Sequence, residues 1–534
     1  MKRITVILFI FSVLTFQIHS EDTPEAESKP EEPEIVLPPV ILNIEDLVVE
    51  KVEAGLPEEE ELLPPEREIS LPDVSALKIE EPELKGLINV PGIVKREKQQ
   101  GVLNAEGTLG IGSMNHVLSN ISLYKLGDMP RFKLSFNHEM LDGFGYNPAG
   151  SGYSLRKDSL EGFFRAERSG IKIDAKGSFK EIERGYQGKS NYISGLDRFA
   201  KAEIGVSKDI SEKFNISGSL NGNLTSLLLS GNSPVGMNEY LISPIASASF
   251  KSSIVEIALS GDYIMRAYST GILDHSVGSN LSLKVDLPLN LNSSLDVGWF
   301  WSSSLNHILT FDLSLGGSPL EAFSFFLKGG YTVRRHNLFD LLEDVILTDI
   351  PVSLPLKDDI GWLASGNVRV NIFKNLVFSL GLDANWYSAM PDLDITTSSG
   401  SFSSVLQQTE AFRFTSATAL NWSISNVFTF ILGWRREFAD RPLFVPLDSL
   451  NAELLAEEPG GRYGGNLTAE YDTGFTDFLQ FPVINLGGFY RFSENLRLMI
   501  QLNDILQVPG LHRYNEYSLE EPGFRGSVEM QINF

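Results

Sequence analysis

The chain has 534 residues, with 44 Lys and Arg against 69 Asp and Glu, and its formal net charge is −25. It contains no cysteine, which excludes disulfide staples, thiolate metal sites and lipid attachment to a cysteine behind a signal peptide. The strong negative charge argues against a nucleic-acid partner, because a phosphate backbone is bound by a basic surface.

The first twenty residues have the layout of a cleaved secretory signal. Lys2 and Arg3 give a positive start, an apolar run follows over 4–16, and Ser20 supplies a small residue ahead of an acidic stretch. An uncleaved anchor helix is the alternative, but it needs about 20 apolar residues and this run is shorter. We therefore expect residues 1–20 to be a signal peptide for export.

The next segment, 21–98, is acidic and rich in proline. Residues 21–90 hold 21 Asp and Glu against 5 Lys and Arg, and they include no aromatic residue. Such a chain buries too little apolar surface to offset its ordering entropy, which predicts a disordered periplasmic leader. Its short aliphatic runs are suited to adding a strand to a periplasmic protein, although we favour a plain linker. Residues 101–534 are also acidic, so electrostatics alone is not expected to draw the leader into a barrel lumen.

From residue 99 to the end of the chain, apolar and polar residues alternate in segments of about 8–12 residues. In one of them, Leu309, Phe311 and Leu313 alternate with polar residues; the segment around 281–287 has the same pattern. This is the period of a β-strand and the length that a tilted strand needs to cross a bilayer. No run resembles a transmembrane helix.

Two folds fit such a pattern, a soluble β-sandwich and a membrane barrel. The polar phase consists mainly of small residues, which suits a wet interior better than the charged surface of a soluble protein. A sheet in lipid must close on itself, because every backbone N–H and C=O needs an internal partner. We therefore predict an all-β fold, a closed antiparallel transmembrane β-barrel over 99–534.

Turn and loop signals set the expected number of strands at about 20, in a range of 18–22. Longer loops are expected to lie outside the cell, and tight turns and both termini in the periplasm. The expected turns are near 127–128, 169–170, 209–212, 251–252, 288, 317–318, 373–375, 425–426 and 493–494. The expected loops are 140–157, 181–197, 335–360, 388–406, 438–478 and 506–522, and the strand-like segment 462–476 is left within a loop.

The C-terminus resembles the signal by which outer-membrane barrels are recognised for folding, with a terminal aromatic residue and apolar residues at alternate positions: Val528, Met530, Ile532 and Phe534. Residues 494–506 and 522–534 also resemble the last hairpin of TonB-dependent receptor barrels. Those receptors carry a folded plug domain ahead of the barrel, whereas here the proline-rich leader occupies that position, so we expect a barrel without a plug. A four-residue run is similar to their energy-coupling box, although such a pattern arises easily by chance: Asp46, Leu47, Val48 and Val49.

The resemblance implies an outer-membrane channel or transporter for small solutes, in contact with lipid and with the barrel assembly machinery. The alternative is a barrel component of an outer-membrane complex whose leader, 21–98, docks a periplasmic protein. An enzyme is the least favoured class. His138 and Glu139, near Asp142, form the only compact set of catalytic residue types, and a solvated loop edge explains them better. No catalytic residue, cofactor or metal site is predicted.

Overall fold

A computed structural model describes residues 103–127, 129–144, 147–342, 354–398, 401–439, 447–473, 482–506, 519 and 522–533. Its β-strands are β1 Leu103–Gly112, β2 Val117–Lys125, β3 Arg131–Asp142, β4 Ser154–Arg168, β5 Ile171–Gly185, β6 Ser194–Ser211, β7 Phe214–Ser230, β8 Val235–Lys251, β9 Val255–Tyr268, β10 Leu273–Leu287, β11 Leu291–Ser302, β12 His307–Leu320, β13 Phe323–Arg334, β14 Asp359–Phe373, β15 Leu376–Ser398, β16 Ser401–Ser423, β17 Phe428–Ala439, β18 Asp448–Glu457, β19 Tyr463–Thr473, β20 Val483–Ser493, β21 Leu496–Asn503 and β22 Arg525–Asn533. One short helix, α1 (Leu338–Leu342), lies between β13 and β14.

These strands form one closed barrel. Each strand pairs antiparallel with the next along the chain, and β22 returns to pair with β1, from Glu106 opposite Asn533 to Gly112 opposite Ser527. The predicted closed antiparallel barrel is therefore confirmed, and its 22 strands lie at the upper end of the expected range. Closure satisfies the backbone at both edges of the sheet, as a lipid environment requires.

The two faces of the barrel wall differ as the alternation predicted. On β12 the side chains of Leu309, Phe311 and Leu313 point outward and are 72%, 42% and 54% exposed. The opposite phase carries polar residues that bond across the inner face, such as Ser314, whose hydroxyl lies 2.7 Å from that of Ser294 on β11. An apolar outer face around a polar inner face is the arrangement of a barrel immersed in hydrocarbon.

The two ends of the barrel differ in the length of their connections. At one end, here named the turn end, every connection has two to five residues, and both Leu103 and Asn533 lie there. At the other end, the loop end, the connections reach 24 residues, in 335–358 between β13 and β14. The asymmetry between tight turns and long loops agrees with the sequence prediction.

One predicted loop was wrong. The segment 438–478 contains a hairpin of two strands, β18 and β19, and the strand-like 462–476 lies largely in β19. The turn between them, 458–462, was missed, and this hairpin accounts for the strands beyond the expected twenty. Its outer positions form an apolar phase, with Leu450, Leu454, Leu467 and Tyr471 between 36% and 42% exposed, whereas Glu453 and Glu470 face inward.

Two smaller expectations also need correction. The segment 388–406 is not a loop, because β15 and β16 remain paired from Leu376 opposite Trp422 to Ser398 opposite Ser401. The stretch 396–404, rich in Ser and Thr, suggested a loop in the sequence, but the backbone pairing continues on both sides of 399–400. The expected turn at 317–318 lies within β12; Gly317 has a φ of 151° beside a register shift, so the glycine marks a bulge and the turn follows at 321–322.

The predicted signal peptide and the predicted leader, 1–98, lie outside the described residues. Within the part of the chain that is described, no helix is long and apolar enough to cross a membrane.

Candidate functional site at the mouth of the barrel

The β13–β14 connection folds onto the inner wall of the barrel at the loop end. The described parts of this connection, 335–342 and 354–358, include α1 and pack against the inner faces of β5 to β9. We name these two parts together the mouth segment. Because the segment lies inside the ring of strands, its position sets how much of the mouth stays open.

The start of α1 is held by two capping interactions. The side-chain oxygen of Asn337 accepts a hydrogen bond from the Asp340 backbone N–H at 2.9 Å, the usual role of an N-cap residue. The carboxylate of Glu239 on β8 accepts the backbone N–H of Leu338, with both oxygens at 3.2 Å. Glu239 is 2% exposed, so its charge faces a helix N-terminus within protein.

An apolar cluster joins the mouth segment to the wall. Leu338, Leu342 and Leu356 of the segment pack with wall side chains that point inward, and the rings of Phe199 and Phe339 meet edge to face at 5.6 Å. Many inner positions of the wall are polar, so a group of large apolar side chains in mutual contact marks this part of the inner face. The wall members of the cluster are Ile182, Phe199, Leu227, Leu229, Met237, Tyr268 and Leu406.

A buried arginine ties the second part of the mouth segment to the wall. The guanidinium of Arg266 on β9 donates to the Leu356 carbonyl at 3.0 Å and to the Asp274 carboxylate at 3.1 Å, and lies 3.4 Å from the Asp358 carboxylate. Arg266 is 1% exposed and the side chain of Asp358 is fully buried. A charge buried to this degree needs these partners, since an unpaired one carries a large desolvation cost.

Further polar contacts hold the ends of the connection. Arg334 pairs with Asp359 at 2.8 Å, and Arg335 pairs with Asp262 on β9. Gln408 on β16 bonds to both backbone groups of Lys357, accepting from its N–H at 2.7 Å and donating to its carbonyl at 2.8 Å. The mouth segment is therefore fixed from β8, β9 and β16, and it is not a freely moving loop edge.

Two titratable groups of the mouth segment respond to burial in opposite senses. Burial raises the pKa of Asp358 above 3.8, although Arg266 opposes the shift. Burial also lowers the pKa of His336 below 6.5, because the charged imidazolium is disfavoured there. The docking of the segment is therefore coupled to pH through both groups.

The sequence did not identify these residues as a site. Arg266, Glu239 and Asp358 lie in segments where single charges are common, and their convergence depends on the path of a long connection. One signal was present: Leu227 and Leu229 are large apolar residues on the phase that is polar elsewhere in β7.

The predicted assembly residues lie where the alternation put them. Val528 and Met530 are outward on β22 and are 47% and 41% exposed, and Ile532 shares their phase. Phe534 and the run Asp46 to Val49 lie outside the described residues. The part that these residues play in assembly or energy coupling stays a prediction.

The set at His138 and Glu139 does not converge. His138 points outward and its Nδ1 lies 2.6 Å from the Asp158 carboxylate, whereas Glu139 points inward, where its carboxylate lies 3.4 Å from His116. Across the described ranges, no three His, Asp or Glu side chains are grouped closely enough to hold a metal ion.

Comparison with solved structures finds barrels of similar architecture. The copper transporter OprC aligns with a TM-score of 0.62 and 11% identity, over 82% of this chain and 80% of its own. A mutant of the ferric enterobactin receptor PfeA of Pseudomonas aeruginosa aligns with a TM-score of 0.61 and 10% identity, over 82% and 81%. The FrpB iron transporter of Neisseria meningitidis aligns with a TM-score of 0.62 and 10% identity, over 81% and 83%.

No protein-family profile matches the sequence, and no curated protein does. At identities near 10%, the structural likeness shows the fold alone. The expected similarity to TonB-dependent receptor barrels is therefore confirmed at the level of the 22-stranded barrel.

Proposed function

We propose that this chain is an outer-membrane passage for small solutes whose mouth is narrowed by the mouth segment. The observation that carries the proposal is the inward packing of Leu338, Leu342 and Leu356 inside a barrel whose outer face is apolar. An immersed barrel of about 22 strands encloses a lumen wide enough to need obstruction. The similar solved structures, named as a copper transporter, a ferric enterobactin receptor and an iron transporter, support transport over catalysis.

In this proposal the turn end faces the periplasm and the loop end faces the exterior. Short periplasmic turns and long outer loops are general among bacterial outer-membrane barrels. Leu103 begins β1 at the turn end, so in this proposal the leader 21–98 joins the barrel on its periplasmic side. Attachment of a small peptide tag within the 186–193 connection is expected to be detected on intact cells, and a tag at 212–213 only after permeabilisation.

The test is conductance of the full chain in planar bilayers, compared with a variant in which 337–356 is replaced by a short Gly-Ser linker. The native chain is expected to show small or intermittent openings, and the variant stable openings several-fold larger. A matched control replaces the 231–234 connection in the same way and should keep the native conductance. The proposal is abandoned if the folded loop variant, inserted in the bilayer, passes no ions.

A further inference from the structure

We propose that a cluster of basic side chains on the inner wall binds small anionic solutes that carry carboxylate or phosphate groups. This inference rests on the proposed passage and names the chemistry of the solute. The cluster consists of Lys157 on β4, Lys180 and Arg184 on β5, and Arg525 on β22; we name it the cation cluster.

The register of β4 and β5 brings three of these residues together. Lys157 lies directly opposite Ile182, so its diagonal neighbours on the same face are Lys180 and Arg184. Diagonal neighbours in a sheet are about 7–8 Å apart, within reach of long side chains. Ile182 is a buried member of the apolar cluster, so this face is the inner one.

The fourth residue reaches the cluster from the seam where the barrel closes. Lys157 is close enough to Arg525 of β22 for direct electrostatic interaction, as it is to Lys180 and Arg184. Like charges repel at such range, so the arrangement favours an anion placed between them. Residues from the first strands and the last strand of the sequence therefore face one region of the lumen.

The acidic residues nearby balance the cluster only in part. Glu139 lies opposite Lys157 in the register and interacts with both Lys157 and Arg525, and its carboxylate also lies 3.4 Å from His116. Asp197 interacts with Arg184, and Glu161 is a diagonal neighbour of Lys180 on the same face of the sheet. Lys157, Arg184 and Arg525 form no ion pair within 4.0 Å with any carboxylate in the described ranges.

Both guanidinium groups of the cation cluster also carry a donor without a hydrogen-bond partner. The Nε atoms of Arg184 and Arg525 are buried, and neither has a hydrogen-bond acceptor among the described atoms. Buried N–H donors are nearly always satisfied in native proteins. An arginine presents its donors in a planar fork that matches carboxylate and phosphate oxygens, which gives the missing acceptor its chemistry.

The cation cluster adjoins the mouth segment. Ile182 lies opposite Lys157 and also packs in the apolar cluster with Leu338 and Leu342. An anion that passes the mouth segment beside β5 therefore comes close to the cation cluster. The site lies in the lumen, toward the loop end and away from the turns.

The test measures citrate binding by calorimetry on the detergent-solubilised full chain, with citrate as a probe that carries three carboxylates. The triple variant Lys157→Gln, Arg184→Gln, Arg525→Gln is expected to bind citrate at least about tenfold more weakly, because each lost charged hydrogen bond costs a factor of that order. The matched control is Arg156→Gln. Arg156 is the chain neighbour of Lys157 but faces outward, where it pairs with Asp158 at 3.1 Å, so this variant should keep the native affinity.

A second variant distinguishes an external solute from the acidic leader of the same chain. Glu58, Glu59, Glu60 and Glu61 are replaced by Gln in the full chain. Binding that is unchanged by this replacement supports an external anion. Citrate binding that appears only after the replacement would assign the cluster to the leader and overturn the solute proposal. Equal affinity in the native chain and the triple variant would also overturn it.

Failure of this inference is separable from failure of the proposed function. Calorimetry reports binding whether or not the barrel conducts, and the reversal potential in a potassium chloride gradient reports selectivity only if it does. The triple variant is expected to shift that potential toward cation preference. A conducting barrel with no shift and no citrate binding retains the passage and loses the anion site.

Discussion

The inner wall has two halves that differ in chemistry, and β7 shows both. Its inner positions in the half toward the turn end are small and polar, from Asn215 to Asn223, whereas Leu227 and Leu229 occupy the same phase toward the loop end. The apolar band of the outer face has one kind of surroundings throughout, the hydrocarbon of the membrane. The inner face meets water in one half and a folded segment of its own chain in the other.

The alternation of residues along a strand therefore predicts which face of the barrel a side chain lies on. It does not predict whether water, lipid or protein surrounds the side chain there. Leu227 and Leu228 are chain neighbours of the same type, and they are 2% and 38% exposed. One packs in the apolar cluster, and the other lies on the outer wall. Substitutions of Arg266 and Leu227 test the contrast between the two halves.

The largest effect is expected from Arg266→Ala in the loop-end half. The variant leaves the carboxylates of Asp274 and Asp358 buried without their cation, and removal of one partner of a buried pair costs about 3–5 kcal/mol. We expect the mouth segment to leave the wall. Because the chain has no cysteine, a single Leu341→Cys substitution reports this as faster labelling by a charged thiol reagent.

The control for this variant is Arg369→Ala. Arg369 also faces the lumen, on β14, but it is exposed and lies in the half toward the turn end. In the Arg369→Ala variant, the cysteine introduced at position 341 should be labelled as slowly as in the chain that keeps Arg369. If both variants accelerate labelling equally, the mouth segment is not held by the Arg266 contacts.

Leu227→Ala should loosen the same segment through packing alone. Truncation of a buried leucine costs about 2–5 kcal/mol, depending on how far the cavity collapses. Leu228→Ala removes the same atoms from the outer face, so it should leave the labelling rate unchanged. Larger single-channel conductance in Leu227→Ala but not in Leu228→Ala would support the contrast; the reverse result would contradict the assignment of the inner phase.

Much of the barrel was predictable from the sequence, because parity is a local property. The outward positions of Val528 and Met530 and the lipid-like face of β12 follow directly from a period of two. The hairpin of β18 and β19 was missed because its turn at 458–462 was not recognised, although Leu450, Leu454 and Leu467 form an apolar outer phase.

The site itself was not predictable, because its residues come together only through closure and a long connection. Arg525 joins Lys157 across the seam between β22 and β1, and Asp358 joins Arg266 through the 24-residue connection. Net charge was similarly uninformative about the lumen. A chain of −25 still places four basic groups together on one part of its inner wall, and only the fold reveals that distribution.

A test of the outer face compares arginine substitutions on one strand. Leu313→Arg places a charge in the apolar band near the centre of β12 and is expected to cost about 2–4 kcal/mol of barrel stability, measured by denaturant unfolding in lipid vesicles. Thr310→Arg places the same side chain on the wet inner face and should cost much less. Equal losses would mean that the exposed apolar phase does not face hydrocarbon.

The smallest effect is a pH dependence of the mouth segment through His336. Because burial holds the pKa of this imidazole below 6.5, the docked state binds fewer protons than the undocked one. Docking is therefore strongest above pH 6.5 and weakens as the pH falls toward the lowered pKa, which should appear as a rise in conductance.

Asp358 acts in the opposite sense, because its pKa is raised above 3.8 and its protonation favours the buried form. His336→Gln separates the two contributions, since it removes only the imidazole. In that variant the conductance should stay level as the pH falls below 6.5, and any change that remains should come from Asp358 and have the opposite sign. A variant that keeps the native rise in conductance would show that the imidazole does not control docking, and that acidification acts on the mouth through another group.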